Sequence, residues 1–205
     1  MNSTKNEDYT KRLLDQSVWW KRILDVQRPY RIHLQRLNLG TVLEIGCGIG
    51  RNLINLGKAT QSIGIDHNPN SVAVAVSRGV VAFTPEQFLS SPYAQPSSFD
   101  SLLVSHVAEH MGREAIVSLL KEYLLYLRCG ATVVIITPQE AGYRSDPTHV
   151  EFMDFDVLLR VLKDAGLIVL RYYSFPLPRL FGKIFKYNEF VIIGQKEQLE
   201  GPIVS

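Results

Sequence analysis

The stretch "TVLEIGCGIGRN", Thr41 to Asn52, constrains this chain more than any other. An apolar run suited to a buried strand leads straight into glycines at 46, 48 and 50, and "GRNLINLGKA" after them has helical spacing. Glycine is needed where a backbone must turn tightly and approach a ligand with no Cβ in the way. A second short strand, "SIGID", puts Asp66 at its carboxyl end, next to the glycine loop if the sheet is parallel. A carboxylate there can accept both hydrogen bonds of a ribose diol. Taken alone the loop reads equally as a plain strand-to-helix turn, but the flanking elements and the acidic strand end turn the reading toward a nucleoside cofactor. The spacing is GxGxG rather than GxGxxG and no Lys-Ser/Thr follows, which argues against a dinucleotide pyrophosphate site and against a P-loop.

Strand and helix patterns continue to alternate. "VVAF", "FDSLLVS" and "ATVVIITP" read as strands, and "NSVAVAVSRG", "REAIVSLLKEYLLYLRCG" and "DFDVLLRVLKDAG" as helices, with Gly130 as the cap of the second of these. "LIVLRYYSF", an irregular segment with Pro176 and Pro178, and a closing "NEFVIIGQK" complete the series. Continuous Val/Ile/Leu runs predict a doubly wound α/β fold with a largely parallel sheet covered on both faces. "QSVWWKRILDVQRPYRIHLQRL" predicts two helices broken at Pro29. With 205 residues and 46% apolar content, one domain is expected: a helical 1–39, a core 40–197 and a tail 198–205.

A formal charge of +2 excludes a globally basic nucleic-acid binder, although Lys5, Lys11, Arg12, Lys21, Arg22, Arg28, Arg31 and Arg36 crowd the first forty residues. Cys47 and Cys129 form no ligand pair or disulfide framework, so a reducing cytoplasm is expected. No apolar run approaches the ~18 residues of a membrane span, and no secretory leader pattern is present.

In "VSHVAEHM", His106, Glu109 and His110 stand at i, i+3 and i+4, so three potential ligands can face one side of a helical turn. "YRSDPTHVEFMD" offers His149 as a fourth, or as a general base after a turn of Asp146, Pro147 and Thr148. Metal binding, base catalysis and a structural role stay open for these residues. His33 falls on a helix surface.

"VLEIGCGIGRN", "GIDHNP", "FDSLLVSHVAEHM" and "LRCGATVVIITP", in that order, resemble a class I S-adenosylmethionine-dependent methyltransferase over residues 40–195. The resemblance implies a Rossmann-like sheet of seven strands with an antiparallel last strand, and S-adenosyl-L-methionine as cofactor. It implies that Glu44, Gly46, Cys47, Gly48 and Gly50 line the methionine and ribose portions, that Asp66 holds the ribose and that His67 lies against the adenine. Thr84 stands where an acid to the adenine amino group is usual, with Glu86 as a substitute, and Ser105 and His106 would offer backbone groups to the methionine end. Two metal-dependent branches are similar: ubiquinone-biosynthesis O-methyltransferases, with Glu-x-x-Glu-His after the fourth strand, and small-RNA 3′-end 2′-O-methyltransferases, with a distal His. Here His106 replaces the first Glu, and a second imidazole favours Zn, Fe or Mn over Mg for a divalent ion held by His106, Glu109, His110 and His149.

On the acceptor side the resemblance implies a lid from the N-terminal helices, carrying Trp19, Trp20, Tyr30 and Arg31, and an acceptor site at Tyr143 and Arg144 after strand five. Oxygen is the expected acceptor atom, because no Asn/Asp-Pro-Pro-Tyr/Phe follows strand four. A small metabolite, lipid or saccharide intermediate is expected, and nucleic acid is disfavoured. The alternatives are an RNA 2′-O-methyltransferase and a non-catalytic cofactor-binding partner or sensor. The aromatic and basic residues of 172–190 suit peripheral contact with a membrane surface or an acidic substrate.

Overall fold

A computed structural model describes residues 27–58 and 61–197; Trp19 and Trp20, the rest of 1–26 and the tail 198–205 lie outside the described residues. Strands β1 (Val42–Ile45), β2 (Ile63–Ile65), β3 (Val81–Phe83), β4 (Phe99–Ser105), β5 (Leu127–Pro138), β6 (Leu167–Phe175) and β7 (Glu189–Lys196) form one seven-stranded sheet. Their order is β3-β2-β1-β4-β5-β7-β6. The chain divides into two compact units, residues up to 94 and residues from 95.

The first unit holds three parallel strands in register, Leu43 beside Ile63 and Ile63 beside Val81. β1 and β2 are buried along their whole length, which is why they read as unbroken apolar runs. Helix α1 (Arg28–Arg36) carries Pro29 in its first turn, where the missing N–H has no partner to lose. It packs on α2 (Arg51–Leu56), with Gln35 Nε2 donating to the Asn55 carbonyl at 2.8 Å. Helices α3 (Pro69–Ser77) and α4 (Pro85–Leu89) start at side-chain caps, Asn68 and Thr84.

In the second unit β4 and β5 are parallel, while β7 runs antiparallel to both β5 and β6. The reversed last strand implied by the resemblance is present. Helices α5 (Arg113–Tyr123), α6 (Glu140–Tyr143) and α7 (Phe155–Asp164) belong to this unit. Asp154 caps α7 by accepting from Val157 N at 3.0 Å, and Leu158, Val161 and Leu162 are fully buried on one stripe of that helix. Gly130 does not cap a helix. α5 ends at Tyr123, a 3-10 turn covers Leu124–Tyr126, and Gly130 sits inside β5 with φ 74°. Leu127 is opposite Phe99 but Thr132 is opposite Ser101, so β5 bulges here and glycine supplies the left-handed residue.

No helix among the described residues is long and apolar enough to cross a membrane.

Candidate active site

In the glycine loop, Gly46, Gly48 and Gly50 have φ of 72°, 52° and 76°, a left-handed backbone that favours glycine. At Gly50 a Cβ would also lie 2.5 Å from Val80 Cγ2. Most of the loop's N–H groups already have partners. Gly46 and Cys47 both donate to the Ile65 carbonyl (2.7 and 3.0 Å), Gly50 to the Cys47 carbonyl (2.9 Å), and Gly48 to Asp66 Oδ2 (2.8 Å). A loop with its donors turned inward is poorly equipped to cradle phosphate and suits a nucleoside cofactor that carries none.

Asp66 is 4% exposed, and its Oδ1 accepts from Asn68 N at 2.9 Å. It therefore braces the glycine loop against the start of α3, and each carboxylate oxygen keeps a second lone-pair direction. Glu44 is fully buried: Asn52 Nδ2 donates to its Oε1 at 2.6 Å, and its Oε2 has no partner. Burial pushes the Glu44 carboxyl up to about 8, with the Asn52 hydrogen bond opposing and the nearby Asp66 charge assisting. A carboxyl held this way favours a cation at its open oxygen, and the ammonium of S-adenosylmethionine is one. Burial, with Glu44 and Asp66 close by, pushes the Cys47 thiol up, so Cys47 packs rather than reacts.

The other nucleoside candidates are less enclosed. His67 is half exposed, with Nδ1 3.9 Å from Asp66 Oδ1. The Thr84 hydroxyl accepts from Gln87 N (3.4 Å) and Gln87 Oε1 accepts from Thr84 N (2.9 Å), so Thr84 is committed to a capping box. "TPEQ" carries that signature in the sequence, where the adenine reading passed over it. Glu86 is exposed in the first turn of α4, and Tyr30 and Arg31 are half-buried on α1.

In the second unit the strand end after β4 carries the histidines. His106 sits at φ 57°, and its N–H continues the ladder to the Ile136 carbonyl at 2.9 Å. Its Nδ1 is 3.2 Å from Glu109 Oε1 and its Nε2 is 3.0 Å from Glu189 Oε1. Desolvation works against a charge on this half-exposed ring, but the two glutamates outweigh it and His106 is pushed up to about 10. His106 thus faces two glutamates, its backbone N–H is taken up by Ile136, and it stands apart from the group whose ligand atoms lie together, Glu109, His110 and His149. Glu189 was not among the sequence candidates. It opens β7, and only the register of that strand brings it to His106.

A 3-10 turn, Ala108–His110, follows. Glu109 is fully buried, and its Oε2 has no partner. Its carbonyl accepts from both Val150 N (2.7 Å) and Glu151 N (3.3 Å), which fastens the loop carrying His149. His110 Nδ1 donates to the Thr148 carbonyl at 3.2 Å, and His149 Nδ1 donates to the Tyr143 carbonyl at 2.6 Å. Carbonyl oxygens only accept, so each Nδ1 carries a proton, and the tautomer that fits these bonds has its lone pair on Nε2. The rings are 4.8 Å apart, and ligand atoms of Glu109, His110 and His149 all lie within 4.8 Å of one another. The structure thus brings together three of the four predicted ligands. Asp146 turns the loop by accepting from Thr148 N (2.9 Å) and Oγ1 (2.7 Å); these bonds overcome burial and hold it below the usual carboxylate range.

Tyr143 stacks on His149 with centroids 5.1 Å apart, and together with Glu140, Arg144 and Phe152 it lines a shallow cleft of about 220 Å³. Glu140 is held below the ordinary range chiefly by the Arg179 guanidinium, which grips both its oxygens at 2.7 and 2.5 Å. Beyond the cleft, Leu180 and Ile184 are each 79% exposed, and Lys183 and Lys186 are exposed beside them.

Residues 42–130 match a family described as a methyltransferase domain. No curated protein matches the sequence. A SAM-dependent methyltransferase from Archaeoglobus fulgidus is similar in structure, with TM-score 0.64 and 19% identity over 85% of this chain and 99% of that one. A methyltransferase of Haloferax volcanii, solved in complex with the Trm112 methyltransferase activator, gives 0.64 and 17% over 90% and 96%. Magnesium protoporphyrin IX methyltransferase from Synechocystis, with SAH bound, gives 0.59 and 14% over 84% and 86%. At these identities the likeness is one of fold. Residues 42–130 thus match a methyltransferase-domain family, and the chain has the fold that these methyltransferases share.

Proposed function

We propose that this chain is an S-adenosylmethionine-dependent methyltransferase acting on a hydroxyl oxygen of a small metabolite, lipid or saccharide intermediate, with His149 as the group that takes the hydroxyl proton. The observation that carries the reading is the anchoring of His110 and His149. Each ring fixes its Nδ1–H on a main-chain carbonyl, so each presents a neutral Nε2, and His149 does so against the wall of the Tyr143 cleft.

The cofactor, when bound, supplies a methyl group on a positively charged sulfur. Toward it, the open oxygen of Glu44 would take the ammonium, Asp66 would take the ribose hydroxyls while bracing the loop, and His67 would cover the adenine. The glycines keep side chains out of the space between them. In the cleft, Tyr143 and Phe152 cover the apolar part of the acceptor and Arg144 meets a polar edge. His149 Nε2 would take the proton of an acceptor hydroxyl turned toward that methyl group.

The test is methyl transfer from isotopically labelled cofactor into a fractionated metabolite extract, with the product's methylated atom identified by mass spectrometry and NMR. An O-methyl product that His149→Ala reduces by about 100-fold or more supports the assignment. An N-methyl product, or a His149→Ala variant as active as the parent, overturns it.

A further inference from the structure

We infer that Glu109, His110 and His149 form a binding site for a divalent transition-metal ion. The inference rests on the proposed hydroxyl methylation and changes one role in it: with an ion bound, His149 Nε2 is a ligand, and the acceptor proton would leave to water rather than to His149.

Three observations carry the assignment. Glu109 is fully buried, with His106 at its Oε1 and nothing at its Oε2, an arrangement that costs free energy unless a cation or a donor fills the gap. His110 and His149 have their Nδ1–H groups fixed on the Thr148 and Tyr143 carbonyls, the outer bonds that orient an imidazole for ligation through Nε2. The three residues also lie close enough together, with ligand atoms within 4.8 Å of one another. Donors on one tetrahedral ion stand about 3.4 Å apart, so small side-chain rotations would close the set.

Two imidazoles and one carboxylate suit zinc, iron or manganese better than magnesium or calcium. Three protein ligands leave a fourth position, which an acceptor hydroxyl can fill. An ion there would lower that hydroxyl's pKa and orient it. The set differs from the one predicted from sequence. His106 lies outside it and acts as a positioning residue, holding Glu109 Oε1 so that Oε2 is the ligand.

The experiment is metal uptake by full-length protein stripped with chelator, followed by titration calorimetry with zinc and manganese chlorides and by the visible absorption of the cobalt form. One ion per chain is expected. Glu109→Gln and His149→Ala should each weaken uptake by more than about 100-fold, beyond the range of an outer partner, whereas His106→Gln should weaken it by about tenfold. Far-UV circular dichroism and binding of S-adenosylhomocysteine, run on every variant, show that each is folded. No stoichiometric uptake by the parent, or uptake that survives Glu109→Gln, overturns the site. Folded, metal-free protein that still yields an O-methyl product would remove the ion and leave the proposed reaction standing; metal-loaded protein yielding only N-methyl product would do the reverse.

Discussion

Glu44 in the first unit and Glu109 in the second invite comparison. Both are fully buried, and both have one oxygen bonded and one without a partner. Their neighbours differ in charge. Glu44 has a neutral amide, Asn52, on one side and the negative Asp66 nearby, so the protein supplies no counter-charge and the carboxyl stays protonated to about 8. Glu109 faces His106, an imidazolium shared with Glu189. The same residue type in the same degree of burial therefore does two jobs. Glu44 awaits a positive charge that arrives with a ligand, whereas Glu109 is built into a framework that carries its own.

The severest way to break this contrast is Asp66→Ala. It removes the acceptor for the Gly48 N–H in the glycine loop and for the Asn68 N–H at the start of α3, and a buried donor left unpaired costs about 1–3 kcal/mol. Affinity for S-adenosylhomocysteine should fall by about 100-fold, measured by calorimetry, while metal uptake by the second unit stays as in the parent. Loss of both would mean that the variant had unfolded, which a thermal melt decides.

Glu44→Gln comes next. A carboxyl whose folded pKa is raised from 4.5 to about 8 is charged more readily in the unfolded chain, so the fold loses stability as pH rises between those values. Among the described residues, the titratable group that acts on it is Asp66. Glu44→Gln should flatten that decline, which amounts to on the order of 5 kcal/mol at most, in denaturant melts across that range. The same residue should release a proton when cofactor binds below about pH 8. Calorimetry in buffers of different ionisation enthalpy would show it, and no proton release would show that Glu44 does not meet the ammonium.

His106→Gln is milder. The amide can donate to only one of the two carboxylates it replaces contact with, and the half-exposed position limits the loss to about 1–2 kcal/mol in a thermal or urea melt. A loss below experimental error would show the Glu109–Glu189 clamp to be a solvent-screened contact. Thr84→Ala should cost about 1 kcal/mol as a lost cap and leave cofactor affinity unchanged. A tenfold affinity loss with an unchanged melt would return Thr84 to the adenine.

The glycine loop and Asp66 were readable because their demands are local. A left-handed backbone at Gly46, Gly48 and Gly50 and an acid at a strand end are visible within a few residues of sequence. Gly130 was misread because "LLYLRC" extends the helical spacing of the preceding segment, and only pairing with β4 shows that a strand has begun. Only part of the surroundings of His106 was readable, for a similar reason. Its i+3 neighbour Glu109 can be seen in the sequence, but Glu189 comes from an antiparallel strand whose register nothing near His106 specifies. At Thr84 a local capping signal, readable in "TPEQ", stands beside the role that the resemblance implies.

The Glu109 carbonyl, which receives the N–H groups of both Val150 and Glu151, ties the orphaned carboxylate and the His149 loop to a single main-chain oxygen. Such a loop cannot lift residue by residue. The amides of Val150 and Glu151 would exchange with deuterated solvent through one common opening, and anything that settles on the side chains beneath would slow both to the same extent. Two adjacent peptide protons thus serve as a built-in gauge of whether the site below them is filled.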